Sequence, residues 1–501
     1  MTGGPPNAGP ARLWGGRFAK SVDRTIDDFT SSLPFDQRLA AHDIVGSMAH
    51  ARMLYEQGVL DRESAEPILD GLSALLSGLE GGTVSVQDGY EDVHSWIEGT
   101  LIERLGDPGR RLHTGRSRND QTGTALRLYL RDEVAELVGL VSQLLETLRA
   151  KASEHTDTLL PGYTHLQRGQ PVSLAHHLLA HFWFLEADAQ RLMRAHGLAG
   201  TSVLGAGALA GSPHDIDPER SAELLGFERT LDNSMHAVAD RDYVVETCFA
   251  CALVLVHLSR WAEEVILWTS AEFGFAQLDD AAAKGSSIMP QKKNPEPLEV
   301  LRGKSGRAVG DLMAHLMQLK GLPLTYNSDL QEDKEALFDA LETARAALTV
   351  ANVVVQGLSY DADRMAAALY GSFVTATDLA DALVKRGLPF REAHEQTGAA
   401  VRAAEEAGVE LWELPLDTLR ACCPLADESI YAGLDPASSV AAHDSFGGPA
   451  PQRVREQLER AVTARDAIDA WRTGRVEPPV LRAHRAGTLS QSERLAVEDG
   501  S

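Results

Sequence analysis

Residues Leu126–Leu148 read LRLYLRDEVAELVGLVSQLLETL, and the spacing of their apolar side chains decides the fold class. Leu126, Leu130, Val134, Leu137, Val141, Leu144 and Leu148 recur at intervals of three and four, the repeat of one face of an α-helix. Leu174, Leu178, Phe182, Leu185, Ala189 and Leu192 repeat the pattern, and further helical stretches cover about Val244 to Glu272, Pro297 to Lys320 and Gln331 to Gly357. Five helices of about five turns or more each predict an elongated bundle. Helices this long extend past what one small domain covers, so their remaining apolar stripe is expected to pack on copies of itself in a symmetric homo-oligomer. Strand-like alternation is scarce, and no hairpin signal such as Asn-Gly separates two apolar runs. The expected fold is therefore all-α, an elongated bundle of long helices flanked by two smaller, mostly helical domains.

The turn-rich stretch Gly106 to Arg111 and a change of pattern after about Asp361 divide the chain. They predict an N-terminal helical domain over residues 1–115, a central bundle carrying the oligomer interface over 116–365, and a C-terminal helical domain over 366–477. Pro478, Pro479 and the polar run to Ser501 predict a disordered tail over 478–501. Met1 to Pro10 combines Gly and Pro without a basic region or an apolar stretch, so no secretory signal is expected.

The chain has 501 residues, 44% hydrophobic and 24% charged, which favours a globular protein over a disordered or fibrous one. Its formal charge of −25 argues against a nucleic-acid or anionic-membrane partner, since either surface would repel it. A small anionic substrate would need a local cationic pocket. Four cysteines, Cys248, Cys251, Cys422 and Cys423, fit a reduced cytoplasmic protein better than a disulfide scaffold. Cys248 and Cys251 spell C-x-x-C, but they fall in the apolar run to Val256 with no second pair at zinc-ribbon spacing, so core packing is expected. That run is too short to span a bilayer and leads into His257, Arg260, Glu263 and Glu264.

Several motifs dissolve on inspection. Gly205-Ala206-Gly207-Ala208-Leu209-Ala210 fits the dinucleotide fingerprint formally, yet a long helix precedes it and Pro213 follows, so a tight glycine-rich connection is expected. Gly303-Lys304-Ser305 lacks the earlier glycine of a phosphate loop, Leu298 standing in its place. His177 and His181 stand one helical turn apart, a spacing able to ligate metal. Without a carboxylate in the metalloprotease arrangement, bundle packing or a surface position is expected, and no metal.

Three polar segments interrupt the helical pattern: Thr114-Gly115-Arg116-Ser117-Arg118-Asn119-Asp120-Gln121, Pro161-Gly162-Tyr163-Thr164-His165-Leu166-Gln167, and Gly285-Ser286-Ser287-Ile288-Met289-Pro290-Gln291-Lys292-Lys293-Asn294-Pro295 with Glu296 and Pro297. Each adjoins a long helix, where backbone N–H groups and partial positive charge favour bound carboxylates. Taken singly, each could be a capped loop.

Together the segments resemble the three signature regions of the fumarase, aspartase and argininosuccinate lyase superfamily, and the third, G-S-S-x-M-P-x-K-x-N-P, is highly specific. Within that superfamily T-G-R-S-R-N-D-Q is similar to the argininosuccinate lyases, whereas fumarases and aspartases carry an H-P-N-D type sequence. The likeness runs from Leu13-Trp14-Gly15-Gly16-Arg17-Phe18 through Leu322 to Glu335 and on to Gly447-Gly448, nearly the whole chain. It implies cleavage of argininosuccinate to arginine and fumarate, by β-elimination without cofactor, for arginine biosynthesis in the cytoplasm. Two alternatives stand beside this: a related lyase releasing fumarate from another N-succinyl substrate, and a non-catalytic crystallin-like relative.

The resemblance also implies roles. Proton removal beside a carboxylate generates a dianionic aci-carboxylate, which Lys292, Asn294 and the loop N–H groups would stabilise. Ser286 would be the general base, with Ser287 the competing candidate from the residues alone. A hydroxyl needs charge nearby to act so, and Lys292 and loop amides could supply it. His165 would protonate the departing nitrogen, oriented by Glu296, although a lone histidine could instead cap the helix that follows. Ser32, Asn119, Thr164, Tyr326, Gln331 and Lys334 would bind substrate, with His94, Ser117, Arg118 and Arg241 lining the site. Arg118 and Lys334 would meet carboxylates, although Lys334 could also form a surface pair with Asp333 or Glu335. The family's sites draw on different subunits of a homotetramer, so oligomerisation would be a condition of activity.

Overall fold

The structure, a computed structural model, describes residues 22–491 together with Glu493 and Leu495. Met1–Pro10 and Leu13–Phe18 lie outside the described residues. Nine helices position the site: α1 (Ala40–Glu56), α2 (Val93–Leu105), α3 (Arg118–Glu154), α4 (Leu174–Leu198), α5 (Asp242–Trp268), α6 (Glu296–Leu319), α7 (Glu335–Gly357), α8 (Pro451–Thr473) and α9 (Pro479–Arg485).

Helix α3 is 37 residues long, about 55 Å at 1.5 Å per residue. A capping box starts it: Ser117 Oγ accepts the Asn119 N–H at 3.3 Å, and Asp120 Oδ1 accepts the Ser117 N–H at 2.9 Å. The stripe from Leu126 to Leu148 is buried along its whole length. It packs against α1, α4, α7 and α8, while α5 packs against α4, α6 and α7. The five long stretches expected from periodicity are all present, the last beginning at Glu335 after a 3-10 turn over Ser328–Asp333.

By length and composition α5 could cross a membrane, but more than half of its most apolar window lies inside the protein. Cys248 and Cys251 sit in that buried face as free thiols, and burial pushes the Cys251 thiol up to about 12, so both pack as small apolar groups. Helix α6 differs from its neighbours. Only Leu298, Leu301, Ala308 and His315 are buried, and Val309, Met313, Leu316 and Met317 form a second, exposed stripe.

Strands are few and short. The longest pair, β1 (Leu159–Thr164) with β2 (Gln167–Ser173), is an antiparallel hairpin between α3 and α4. Its two turn residues, His165 and Leu166, adopt φ of 54° and 57°, the conformation that usually selects Asn-Gly. A hairpin stands here without the residues that normally announce one.

Where the apolar residues cluster differs from the expected divisions. One continuous core runs from Leu33 through Ile44, Trp96, Leu137 and Leu255 to Ala368, so residues before 115 share the bundle's core. A separate core of Leu379, Leu383, Ala400, Leu411, Leu419 and Ile430 lies in the C-terminal segment. The stretch 366–477 is nevertheless not one unit: Val454, Ala461 and Ile468 of α8, spaced by sevens, return to the bundle core. The expected disordered tail is corrected over residues 479–491. Val480, Ala483 and Leu489 are buried, and the Arg52 guanidinium, itself buried, donates to the Leu489 carbonyl at 3.1 Å and the Gln491 carbonyl at 2.5 Å. Two prolines and a polar run hid a short apolar stripe that docks on α1.

Replacing Val480 by Asp places an unpaired carboxylate in this core, and we expect a loss of about 3 kcal/mol. A fall in thermal midpoint, followed by circular dichroism at neutral pH, checks this; an unchanged midpoint would mean that the terminal helix contributes nothing.

Candidate active site

The N-terminal turn of α3 is built from side chains that satisfy each other. Asp120, fully buried, uses Oδ2 to accept the N–H groups of Gly205 at 3.1 Å and Gly207 at 2.9 Å. Both glycines have positive φ, which turns their N–H groups toward one point. The would-be dinucleotide loop thus cradles an internal carboxylate. Burial raises the Asp120 carboxyl to about 6 even against these N–H bonds. Asn119 Nδ2 donates to the Ala208 carbonyl at 3.1 Å, fastening the same loop to the helix start.

Arg118 was expected to meet a substrate carboxylate, but protein groups occupy it. Its Nε lies 3.3 Å from Asp92 Oδ2, Nη1 donates to Gln121 Oε1 at 2.6 Å and Nη2 to Ser95 Oγ at 3.1 Å. Its partner Asp92 caps α2. One turn behind, Gln121 Nε2 donates to both oxygens of the buried Asp43, at 2.9 and 3.0 Å. The His94 Nδ1 stands 3.2 Å from the same carboxylate, and the ring is 2% exposed. Ser32 Oγ donates to Asp36 at 2.5 Å, and Asp36 in turn accepts the Val93 N–H at 3.1 Å. Asp36, Asp43 and Asp92 therefore hold the segments carrying Ser32, His94 and Arg118 together.

A second knot lies at the start of α5. Arg241 and Asp333 form a direct ion pair, and Lys334 Nζ reaches Asp333 Oδ1 at 2.8 Å. All three are at least 96% buried. Burial alone would raise Asp333, but Lys334 and Arg241 outweigh it and hold the carboxyl below its usual range. The surface-pair reading of Lys334 is thus corrected: its partner is Asp333, but in the interior. Gln331 Nε2 donates to the Thr30 carbonyl at 3.0 Å, which brings this segment against the one bearing Ser32. Burial raises the nearby Tyr326 hydroxyl, helped by the charge of Asp333.

Two other segments stand apart from this cluster. Thr164 and His165 are exposed at the hairpin tip, which packs at its base on residues 362–367, 436–442 and α4. His165 does not cap α4: Ser173 does, accepting the His176 N–H at 3.1 Å. The loop after α5 closes as a two-residue ladder, Lys284–Gly285 against Lys293–Asn294. Within it Ser286 Oγ accepts the N–H groups of Ile288 at 3.3 Å and Met289 at 3.1 Å. Ile288 is 83% exposed. The Lys292 side chain forms no hydrogen bond or ion pair among the described residues, whereas Lys293 is tied to Asp280. Glu296 begins α6, exposed, with no bond to His165 within one chain among the described residues.

One chain thus gathers Ser32, His94, Ser117, Arg118, Asn119, Arg241, Tyr326, Gln331 and Lys334 at one end, and presents Thr164 with His165, and Ser286 with Lys292, Asn294 and Glu296, on two further projections. Sequence reasoning missed the carboxylates Asp36, Asp43, Asp92 and Asp120 that organise the first group, and offered Asp333 only as a surface partner of Lys334. Asp120 and Asp333 did lie inside the quoted motifs, and an acidic residue beside a cation in an otherwise polar motif was the available signal.

Residues 16–310 match the family model described as lyase, and residues 373–441 match that described as argininosuccinate lyase C-terminal. The argininosuccinate lyase of Pelotomaculum thermopropionicum is 50% identical over 450 residues, 90% of this chain and 98% of the relative. That of Desulforudis audaxviator is 51% identical over 451 residues, again 90% and 98%. The chain belongs to the argininosuccinate lyase family. Among solved structures it is similar to an EDDS lyase in complex with formate, with TM-score 0.81, 30% identity and coverage of 93% of this chain and 94% of the other. A class II fumarase from Schistosoma mansoni has TM-score 0.69 at 17% identity, covering 80% and 90%, and so shares the fold.

Asp333→Asn leaves two buried cations short of a counter-charge. We expect it to cost about 3–5 kcal/mol of stability at neutral pH. Because the carboxyl of Asp333 is held low, its stabilisation is fully present above the ordinary value of 3.8 and fades only as pH falls further. Thermal midpoints of both proteins between pH 7 and pH 4 should keep a constant gap; a gap already closing near pH 6 contradicts the pairing.

Proposed function

We propose that this chain cleaves argininosuccinate to arginine and fumarate, that Ser286 is the general base and His165 the general acid, and that each site is completed by several subunits of a homotetramer. The setting is arginine biosynthesis in the cytoplasm, and the reaction draws on side chains and backbone amides alone.

The observation that carries the base assignment is the pair of N–H groups, from Ile288 and Met289, directed at Ser286 Oγ. Hydrogen bonds donated to an oxygen favour its charged form, which is what a hydroxyl needs to act as a base. No such pair serves Ser287 among the described residues. Proton removal places a second negative charge on the substrate carboxylate. The unpaired Lys292 and the amide of Asn294 would lower the barrier by stabilising that charge as it develops. His165, held out by the left-handed turn, would then protonate the departing nitrogen, with Glu296 orienting it from another subunit.

Substrate binding falls to Ser32, Asn119, Thr164, Tyr326, Gln331 and Lys334, with His94, Ser117, Arg118 and Arg241 shaping the surface around them. Lys334 and Arg241 share one carboxylate, Asp333, so the trio keeps a surplus positive charge in an acidic protein. That surplus suits a dicarboxylate substrate. Arg118 is better suited to holding α2 against α3 than to meeting substrate directly.

The exposed stripe of α6 supports the oligomer. Val309, Met313, Leu316 and Met317 are 41%, 51%, 44% and 62% exposed in the single chain, and together they form a continuous apolar face.

Purified protein given argininosuccinate should raise the ultraviolet absorbance of fumarate, and Ser286→Ala should lower kcat by about 10³-fold. Turnover of a different N-succinyl compound in place of argininosuccinate would overturn the substrate, and unchanged turnover by Ser286→Ala the base. A further outcome tests the shared site. Inactive Ser286→Ala and His165→Asn proteins, unfolded together and refolded as mixed oligomers, should regain part of the activity; mixtures as inactive as either parent exclude sites built from several subunits.

A further inference from the structure

On the face where α4 meets α5, three side chains outside the proposed active site converge. His177 Nε2 and His181 Nε2 each lie 2.8 Å from one oxygen of Glu264, Oε2. The ligand atoms of all three lie within 4.8 Å of one another. The histidines stand at i and i+4 on α4, their ring centroids 5.4 Å apart, which is the rise of one helical turn. The carboxylate missing beside them in the sequence comes from the neighbouring helix, Glu264 of α5.

Each member is held in place. The His177 ring lies against Trp268, tilted by 38° with centroids 4.7 Å apart, and His181 lines an apolar cavity with Leu144, Leu148, Leu258, Trp261 and Val355. Glu264 retains 43% side-chain exposure, so one edge of the cluster faces water.

We propose that His177, His181 and Glu264 bind one divalent transition-metal ion of the zinc, cobalt or nickel class, which pins α4 to α5. Two imidazoles and one carboxylate select such ions over magnesium or calcium, which take oxygen ligands. Bond lengths of ~2.0–2.1 Å in a tetrahedral site put ligand atoms ~3.3 Å apart, so the two imidazole nitrogens, within 4.8 Å of each other, must close to that spacing and the Glu264 carboxylate must withdraw by ~0.5 Å. A partly exposed side chain can do so by rotating. Water at the open edge would supply the fourth ligand.

The position matters for the rest of the chain. His177 is in the first turn of α4, directly after the hairpin that carries His165, and Glu264 is in the last two turns of α5, before the chain leads to the Ser286 loop. A metal there would join the bases of both projections. It would be a structural clamp, taking no part in the elimination.

The test uses the full-length chain without an affinity tag, stripped with chelator and dialysed, then titrated with Co²⁺. We expect the visible absorption of a tetrahedral cobalt site saturating near one equivalent per chain, displaced by Zn²⁺, and a thermal midpoint several degrees higher at excess Zn²⁺. His181→Gln and Glu264→Gln should abolish both signals while the metal-free variants keep wild-type circular dichroism and turnover. His177→Asn, at the more exposed ligand, repeats the test if His181→Gln fails to fold. Absence of the cobalt absorption at one equivalent, or its persistence in these variants, overturns the proposal and leaves the trio a hydrogen-bonded clamp. The readout does not involve argininosuccinate, so its failure is separable from failure of the lyase reading.

Discussion

The burial of one apolar stripe, on a helix of 37 residues, organises the molecule. A helix about 55 Å long cannot be covered by a single short neighbour. It collects α4 and α7 along its flanks, α1 near its start and α8 along its length, and α4 and α7 in turn hold α5. Regular helices satisfy their own backbone groups internally except at their ends. Irregular chain, and with it most of the chemistry, is therefore pushed to the ends of the bundle, where the capping box at Ser117, the hairpin before α4 and the loop before α6 all occur. Helix α6 keeps an apolar stripe that is not covered among the described residues.

Charge management follows a consistent plan. The chain is strongly acidic overall, yet several cations near the site are held by a specific carboxylate: the buried Arg241 and Lys334 by Asp333, the buried Arg127 by Asp240 and the part-buried Arg118 by Asp92, whereas the buried Arg116 donates to Ser47 Oγ. Pairing lowers the cost of taking these groups out of water and orients them, since an unpaired buried charge would cost several kcal/mol. Backbone N–H groups serve beside cations as well, as at Asp120, which accepts from the two left-handed glycines and also feels the charge of Arg116. Lys292 is the contrast. It stands on an exposed loop, without a partner among the described residues, as a group meant to meet a ligand's charge would.

Much of this was legible in the sequence because it depends on local periodicity. Stripes at threes and fours located the five long helices, since any helix packed on one side must repeat that way. The strings around Asp120, His165 and Ser286 stood out as candidate site segments because their residue types are poor choices for helix interiors. Other features were hidden for physical reasons. The His165-Leu166 turn takes positive φ without glycine or asparagine, so no composition signal announces the hairpin. Helix α9 is short and flanked by prolines, and the three residues that dock it, Val480, Ala483 and Leu489, are too few to stand out from a polar tail.

Sequence alone determined the helical class, the lengths and approximate limits of the bundle helices, and the family whose motifs the chain carries, because each rests on residues close together along the chain. Tertiary structure alone decided which charges are neutralised, which serine receives two N–H bonds, that the C-terminal helices return to the central core, and that Glu264 meets His177 and His181. Those outcomes depend on which helix faces are brought together in space, and pairs separated by dozens of residues leave no periodic trace in a single chain.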